Sequence, residues 1–149
     1  MVYATTVKSE FAEAIAEGRK RVELRTRIPR WLNVTDYIVV CAKGAGGRVR
    51  CWIEVGGVLC LPPITMWYRY ESVLGIDWHN YWKYVNECDY VYGLVVRCVY
   101  TPSEPMDLGM FGLGRAPRWF TLVPIIPNAF LDQLIEGRNR KEVWNAAII

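Results

Sequence analysis

The chain has 149 residues, of which 52% are hydrophobic and 22% are charged, and its formal net charge at pH 7 is +3. These values are ordinary for one globular domain with a buried core, and they exclude both a disordered chain and a uniformly cationic one. The sequence has no apolar run of the roughly 20 residues that span a membrane, and its first residues lack a signal-peptide pattern. We therefore expect a single cytoplasmic domain over residues 1–149 without a membrane partner.

The five cysteines are interpreted as small buried apolar side chains. They form no CxxC pair, and their spacings fit no zinc ligand set, even with the single histidine His79. We expect no metal and no cofactor. Cys41 and Cys51 flank a predicted hairpin turn, where a disulfide would need an oxidising compartment or a hyperthermophile. The single glutamine, Gln133, is a weak thermophile signal.

Taken in chain order, the first third predicts a strand, a helix and a second strand. Residues 2–8 alternate β-favouring side chains. Residues 9–18 place apolar side chains at helical spacing, with Ser9 as the N-cap and Gly18 as the stop. Residues 20–27 then alternate with a period of two, which predicts a strand with one buried face and one charged face.

The middle of the chain predicts a hairpin and two helices. Residues 36–42 and 48–61 are apolar and β-rich, and a glycine-rich turn joins them. The turn lacks the Lys-Ser/Thr pair of a phosphate loop and precedes a strand, which favours a plain turn. Residues 64–74 and 77–87 predict two short helices, the second capped by Asp77.

The last third predicts a strand over 90–100, a flexible glycine-rich lid at 109–114 and a short strand over 119–123. A further helix over about 127–145, capped by Asn128, completes the chain. Strands dominate, and one helix separates the first two of them, so repeated βαβ units are absent. We predict the α+β class: a small mixed β-barrel of about residues 2–123, with flanking helices and an appended C-terminal helix.

A basic cluster marks the junction between the first helix and the second strand. Six basic residues fall between Arg19 and Arg30, against one acid, Glu23. Lys20 lies at the helix end, whereas Glu23 and Arg25 are neighbours on one strand face. A cation for phosphate, a carboxylate for a base or sugar and a guanidinium fork together suit a nucleotide pocket. The alternative is a solvated strand face whose charges pair with one another.

The two middle helices are dense in aromatic side chains: Trp67, Tyr68, Tyr70, Trp78, Tyr81, Trp82 and Tyr84. Such side chains can stack on nucleic-acid bases, or they can pack a helix against a barrel. We expect Trp82 in the core, and Trp31, Trp67 and Tyr84 at exposed positions or in a cleft.

The spacing Gly18-x-Lys20-x-x-Glu23-x-Arg25 after an amphipathic helix resembles the signature of the ASCH family, within the PUA-like superfamily. Further segments that resemble this family follow in the same order: residues 36–40, 51–58, Tyr84 with 90–94, and 116–120. The resemblance covers about residues 2–123. It implies a PUA-like barrel with a cleft near the Lys/Glu/Arg group, and recognition of RNA or a modified nucleotide. The predicted ligand-binding residues are Arg19, Lys20, Glu23, Arg25, Arg27, Trp31, Trp67, Tyr84 and Arg118.

Some members of this family are small amidohydrolases that act on acetylated cytidine through a lysine, a threonine and a carboxylate. Lys20 matches the lysine, the next strand positions, residues 21–24, hold no threonine, and the carboxylate falls near Glu71 or Asp77. Lys20 and Glu23 are therefore catalytic candidates if the protein is an enzyme, with Glu23 as a base only if burial raised its pKa towards neutrality. A ribonuclease and a non-catalytic, regulatory protein-interaction domain are the remaining alternatives. The sequence leaves the oligomeric state open.

Overall fold

The computed structural model describes residues 1–144 and has the predicted α+β class, with helices packed around one sheet. The elements are β1 (Val2–Val7), α1 (Ser9–Ala16), β2 (Val22–Arg25), β3 (Tyr37–Ala42), β4 (Val49–Leu61), α2 (Pro63–Leu74), α3 (Trp78–Val85), β5 (Val91–Tyr100), a 3₁₀ helix (Leu108–Phe111), β6 (Thr121–Leu122), α4 (Asn128–Glu136) and β7 (Arg140–Glu142). Among these residues, no helix has the length and apolar character needed to cross a bilayer.

The seven strands form one mixed sheet in the order β2-β5-β4-β3-β1-β6, with β7 added to β5. β1 and β3 are parallel, and the other pairs are antiparallel. The hydrogen-bonded ladder of the described chain does not close into a ring, but side chains join its two ends. Arg25 of β2 donates a hydrogen bond to Thr5 Oγ1 of β1 at 3.1 Å, and its guanidinium lies 4.6 Å from the centroid of the Phe120 ring, next to β6. We call this junction of Arg25, Thr5 and Phe120 the seam.

Strand alternation divides the core between the two faces of the sheet. Val40 and Ile53 point to the face covered by α1. Trp52 points to the other face, where it packs on Phe130 of α4 with ring centroids 4.8 Å apart. A third cluster packs α2 and α3 against β2 and β5, and Leu24 of β2 belongs to it. The apolar face of β2, opposite its charged face, therefore packs against α2 and α3.

The predicted helix caps are confirmed at one position and wrong at two. Asp77 caps α3, where its carboxylate accepts a hydrogen bond from the backbone N–H of Asn80 at 2.8 Å. Ser9 and Asn128 are instead the first helical residues of α1 and α4, and neither cap position has a side-chain hydrogen bond. In both helices the cap falls one residue earlier, within the usual uncertainty of helix ends.

The flexible lid predicted at 109–114 is wrong for its first part. Leu108–Phe111 forms a 3₁₀ helix, and the Asp107 carboxylate accepts a hydrogen bond from the Met110 N–H at 3.2 Å. Phe111 is fully buried against Phe130, with ring centroids 5.6 Å apart. The segment is anchored to the core by this ring.

The C-terminal helix is shorter than the predicted range 127–145. α4 ends at Glu136 because Gly137 adopts a left-handed backbone with φ of 67°. The chain then pairs Arg140–Glu142 with β5 as an antiparallel strand. Residue 145, the end of the predicted range, lies outside the described residues.

Cys41 and Cys51 are both free thiols, and they belong to core clusters on opposite faces of the sheet. Burial raises the pKa of each thiol to about 12. The two cysteines are therefore unreactive core side chains rather than a cross-link of the hairpin.

Candidate functional site

A cleft of about 790 Å³ lies beside the seam, between β1, α1, β2 and α3. Small-molecule sites in proteins usually enclose roughly 300–1,000 Å³, so the cleft has room for a nucleotide-sized ligand. Its polar lining includes Thr6, Lys20, Glu23, Arg25, Asp77 and Tyr84. They come from β1, the turn after α1, β2, and α3 with its cap.

Lys20 enters the cleft from the turn that follows α1. Gly18, with φ of 79°, reverses the chain there, and the backbone N–H of Lys20 donates to Ala14 O at 3.0 Å. The side chain is only 1% exposed. Its Nζ donates to the carbonyl of Leu74 and lies 4.8 Å from the centroid of the Phe11 ring.

Burial lowers the pKa of Lys20, because a low-dielectric environment disfavours the ammonium form. The neighbouring charges act in opposite directions: Glu23 raises the pKa, and Arg25 lowers it further. The result is a lysine that loses its proton more easily than a lysine on the surface.

The end of α2 packs directly against Lys20. Gly75 terminates the helix in a left-handed conformation with φ of 64°, which turns the Leu74 carbonyl towards the lysine. A Cβ added to Gly75 would lie 2.8 Å from the Lys20 Cβ. Close approach of backbone to side chain therefore requires glycine here.

Glu23 and Arg25 lie on the same face of β2, as the period of two predicts. Glu23 is 7% exposed. Its Oε1 lies 3.9 Å from Arg25 Nε, which is an ion pair but too long for a hydrogen bond. Within the described chain, Glu23 Oε2 and Arg25 Nε have no hydrogen-bond partner, although both atoms are buried. Glu23 can therefore accept, and Arg25 can donate, one further hydrogen bond.

The model of the ASCH domain matches residues 6–103, which are 98 of the 149 residues. The chain belongs to the ASCH domain family. The matched segment begins in β1 and includes every element that lines the cleft. Membership supports a PUA-like, RNA-binding type of module at this coarse level.

Solved structures agree with this assignment at the level of the fold. The crystal structure of ASCH from Zymomonas mobilis has a TM-score of 0.73 at 21% sequence identity, over 91% of this chain and 94% of that chain. A point mutant of the same protein gives the same TM-score and identity, over 91% of this chain and 96% of that chain. A search of the curated proteins finds no relative.

In this ASCH domain, Thr6 is one of the cleft residues that the sequence did not predict. It lies on β1 and lines the cleft, and its Oγ1 is buried without a hydrogen-bond partner among the described residues. Nothing near Thr6 in the sequence indicates this, because Thr6 and Glu23 line one cleft only when β1 and β2 meet at the seam. The family resemblance points to a threonine on β2, after Lys20. In the structure, a threonine of β1 lines the cleft instead.

Of the two carboxylates considered for the site, Asp77 lines the cleft of the ASCH domain, whereas Glu71 is exposed on α2 and does not. The Asp77 side chain is already engaged: it accepts hydrogen bonds from the backbone and the side-chain amide of Asn80, at 2.8 and 2.9 Å. Its first role is therefore to cap α3.

Two more predicted ligand-binding residues line the cleft, Arg19 and Tyr84. Arg19 is exposed and paired with Glu17, with its Nε 2.6 Å from Oε2. Tyr84 is 42% exposed, and its hydroxyl donates to Leu24 O at 3.3 Å. Burial raises the pKa of Tyr84, so its hydroxyl stays protonated at neutral pH.

The exposure expected of Trp67 is wrong. Trp67 is 8% exposed and packs between Trp78 and Tyr81, with ring centroids 5.2 and 4.9 Å away, because α2 and α3 bury their facing sides against each other. Trp82, expected in the core, is partly buried at the edge of the same cluster. These rings lie outside the cleft.

Arg27, Trp31 and Arg118 are exposed, as surface ligand contacts would be, but they lie outside the cleft lining. The cleft itself is lined by five basic and four acidic side chains, so its formal charge is nearly balanced. A balanced set of donors and acceptors suits a polar, hydrogen-bonding ligand better than a bare polyanion. In residues 1–144, no group of His, Cys, Asp and Glu is arranged to hold a metal ion.

Proposed function

We propose that this ASCH domain binds RNA or a nucleotide, and that its cleft recognises a single nucleotide unit. The observation that supports this most is a set of three buried polar atoms in residues that line the cleft, which have no hydrogen-bond partner within residues 1–144: Thr6 Oγ1, Glu23 Oε2 and Arg25 Nε. A buried polar group without a partner costs roughly 1–3 kcal/mol. A ligand that both donates and accepts hydrogen bonds would recover this cost.

Each polar group has a role in such a complex that follows from its chemistry. The Glu23 carboxylate accepts hydrogen bonds from the amino group of a base or from a sugar hydroxyl. Arg25 and Lys20 supply positive charge in a site shielded from solvent. The exposed Arg19 at the rim is free to reach a phosphate, since its surface pair with Glu17 contributes little.

The experiment is a calorimetric titration with AMP, CMP, GMP and UMP. We expect at least one to bind, and Glu23→Gln to lower its affinity by roughly tenfold or more, because a hydrogen bond to a charged group contributes about 1.5–3 kcal/mol. Glu71→Gln makes the same change on the exposed face of α2 and serves as the control, with unchanged affinity. If none of the four nucleotides binds, or if Glu23→Gln binds like the wild type, the proposed function is wrong.

A specific observation also favours a second candidate, an amidohydrolase that acts on a modified nucleoside such as acetylated cytidine. Lys20 has a lowered pKa, and a hydroxyl from Thr6 and a carboxylate from Glu23 line the same cleft. These are the three kinds of group that the family resemblance associates with that activity. A lowered pKa increases the fraction of neutral amine that can act as a base or nucleophile.

Incubation of the protein with acetylated cytidine, followed by chromatography, tests the second candidate. A hydrolase would release cytidine and acetate, and Lys20→Met would abolish the release while leaving the protein folded by circular dichroism. If the wild-type protein releases no cytidine, the hydrolase function is excluded and the binding function is unaffected.

A further inference from the structure

A second feature of the surface lies next to the seam, outside the cleft. It consists of two exposed groups of side chains, one from the segment after β2 and one from the segment before β6: Arg27, Arg30, Trp31, Arg115, Arg118 and Trp119. We call these six residues the arginine–tryptophan surface. The two segments meet where the Arg27 guanidinium lies 5.9 Å from the centroid of a Trp119 ring.

Apolar residues of both segments fix this surface in place. Leu32 and Phe120 are 6% and 4% exposed, and both belong to the core cluster under α1, with Ile28 packed against it. The polar side chains between these anchors face solvent. Each of the other four surface residues lies within four positions of Arg27 or Trp119, and four residues of chain span at most about 14 Å. The six residues therefore lie near the contact between Arg27 and Trp119 along the chain, and we refer to them together as the patch.

The charge of the patch is unopposed, in contrast to the cleft. The chain contains no acidic residue over 24–35 or over 108–131. In the described part of the chain, none of the four arginines takes part in a salt bridge. Two indole rings are exposed among these cations, Trp31 by 61% and Trp119 by 38%.

Side-chain contacts join the patch to the cleft. Arg25 lines the cleft, and its guanidinium lies over the Phe120 ring at 4.6 Å. The Phe120 ring contacts the Trp119 ring, with centroids 5.4 Å apart, and Trp119 contacts Arg27. A series of contacts thus links Arg25 in the cleft lining to the arginine–tryptophan surface.

We propose that the arginine–tryptophan surface binds the strand that flanks the nucleotide held in the cleft, so that the ligand is a single-stranded nucleic acid rather than a free nucleotide. This inference rests on the proposed function of the cleft. Arginines neutralise successive phosphates, and exposed aromatic faces stack on bases whatever the sequence. An acidic peptide would use the arginines but would leave the exposed tryptophans without a stacking partner.

The test compares a fluorescein-labelled single strand of 12 nucleotides, as RNA and as DNA, with the mononucleotide that binds best, using anisotropy for the strands and calorimetry for the mononucleotide. We expect a strand to bind about tenfold or more tightly than the mononucleotide. Trp119→Ala should lower strand affinity by about fivefold or more, the effect of losing one stacked base. The pair Arg27→Ala and Arg118→Ala should reduce the slope of log affinity against log salt by about 1.4, at about 0.7 for each phosphate of a single strand.

The same variants should bind the mononucleotide like the wild type, because they lie outside the cleft. Tyr68→Ala and Arg69→Ala make matched changes at exposed positions of α2 and should leave strand affinity unchanged. Tight binding of either strand through the patch supports the proposal, and the ratio of RNA to DNA affinity gives the sugar preference.

Three results would overturn the proposal: a strand that binds no more tightly than the mononucleotide, surface variants that bind strands like the wild type, or complete displacement of the strand by polyglutamate or by anionic vesicles at equal charge concentration. Failure of the cleft function is recognised separately, since it appears in the mononucleotide titration and in Glu23→Gln, which involve no residue of the patch.

Discussion

Lys20 is the residue at which burial and charge oppose each other most directly. An isolated buried ammonium is very costly, so such groups are neutralised or paired. Here the Leu74 carbonyl accepts a hydrogen bond from Nζ, the Phe11 ring lies under the cation, and Glu23 provides the opposite charge. These partners make a charged group tolerable at a position where a core side chain would otherwise be expected.

The lowered pKa of Lys20 predicts how stability depends on pH. Between its folded pKa and the ordinary value of 10.5, the unfolded chain binds more protons than the native protein. The free energy of unfolding contributed by this residue therefore rises with pH across that window, and below it the penalty is constant. In Lys20→Met this contribution is absent.

Urea unfolding of wild type and Lys20→Met between pH 7 and pH 10 measures the effect. The free energy of unfolding of the wild type, minus that of the variant, should increase with pH. Lys43→Met, at an exposed turn, is the control. The free energy of unfolding of the wild type, minus that of Lys43→Met, should not increase with pH in this way. A difference between wild type and Lys20→Met that stays constant over the range would contradict the lowered pKa.

A matched pair of glycines tests the packing around Lys20. Gly75 and Gly137 have nearly the same left-handed backbone, with φ of 64° and 67°, but an added Cβ would meet Lys20 only at Gly75. The left-handed strain is about 1–2 kcal/mol in each alanine variant, and crowding adds about 1–3 kcal/mol at Gly75. Urea unfolding should therefore show Gly75→Ala to be the less stable variant, and equal losses would argue against a close contact.

Among the elements, α3 links the stability of the fold to the cleft most closely. Its buried Tyr81 donates a hydrogen bond to Pro63 O at 2.6 Å, which ties α3 to the start of α2. Its first residues follow the Asp77 cap, and Asn80, Lys83 and Tyr84 line the cleft. Correct placement of these three side chains depends on an ordered first turn.

Two substitutions at Asp77 separate capping from ligand binding. Asp77→Ala should lower the free energy of unfolding by about 0.5–2 kcal/mol, whereas Asp77→Asn should preserve it, because asparagine is an equally good N-cap. Thermal and urea unfolding measure both. If the carboxylate charge also contacts the ligand, Asp77→Asn lowers nucleotide affinity without loss of stability; if Asp77→Asn is as unstable as Asp77→Ala, the capping role is wrong.

The elements also show what the sequence could predict. Alternation of apolar residues predicted β1, the β3–β4 hairpin and β5, because each strand buries at least one face. β7 was not predicted, since Arg140–Glu142 consists of exposed charged residues without the apolar alternation that marks a strand. Helical periodicity likewise could not place Trp67, because its burial depends on how α2 and α3 face each other.

For the site, local sequence indicated that Lys20, Glu23 and Arg25 belong together, and the structure brings all three to one cleft. It could not indicate Thr6, whose position depends on how the two ends of a seven-stranded sheet meet. Residues that are close in sequence were therefore predictable, and contacts across the seam were not.

At the scale of the whole molecule, the reactivity of the five thiols shows whether the core is intact. Cys41, Cys51 and Cys98 are buried, Cys88 is partly exposed and Cys60 is exposed. Because the thiolate is the reactive form and burial raises the pKa of Cys41 and Cys51 to about 12, these two should resist alkylation in the native state.

Iodoacetamide treatment at pH 8, followed by mass spectrometry of peptides, measures this order. Cys60 should react first and Cys88 more slowly, whereas the three buried thiols should react only after urea is added. Since no thiol is cross-linked in the described fold, the melting temperature should be the same with and without a reducing agent. Early modification of Cys41 or Cys51 would mean that the core opens without global unfolding.

The seam has a mechanical consequence. Since one guanidinium and its neighbours, rather than a row of backbone hydrogen bonds, connect β2 to β1 and β6, these two edges can separate while every strand pair stays intact. Arg25 therefore holds these two edges of the sheet together, and a ligand that binds Arg25 in the cleft would stabilise the closed arrangement. A bound ligand would therefore slow amide hydrogen exchange in β2 and in β1 and β6, including at residues that the ligand does not contact.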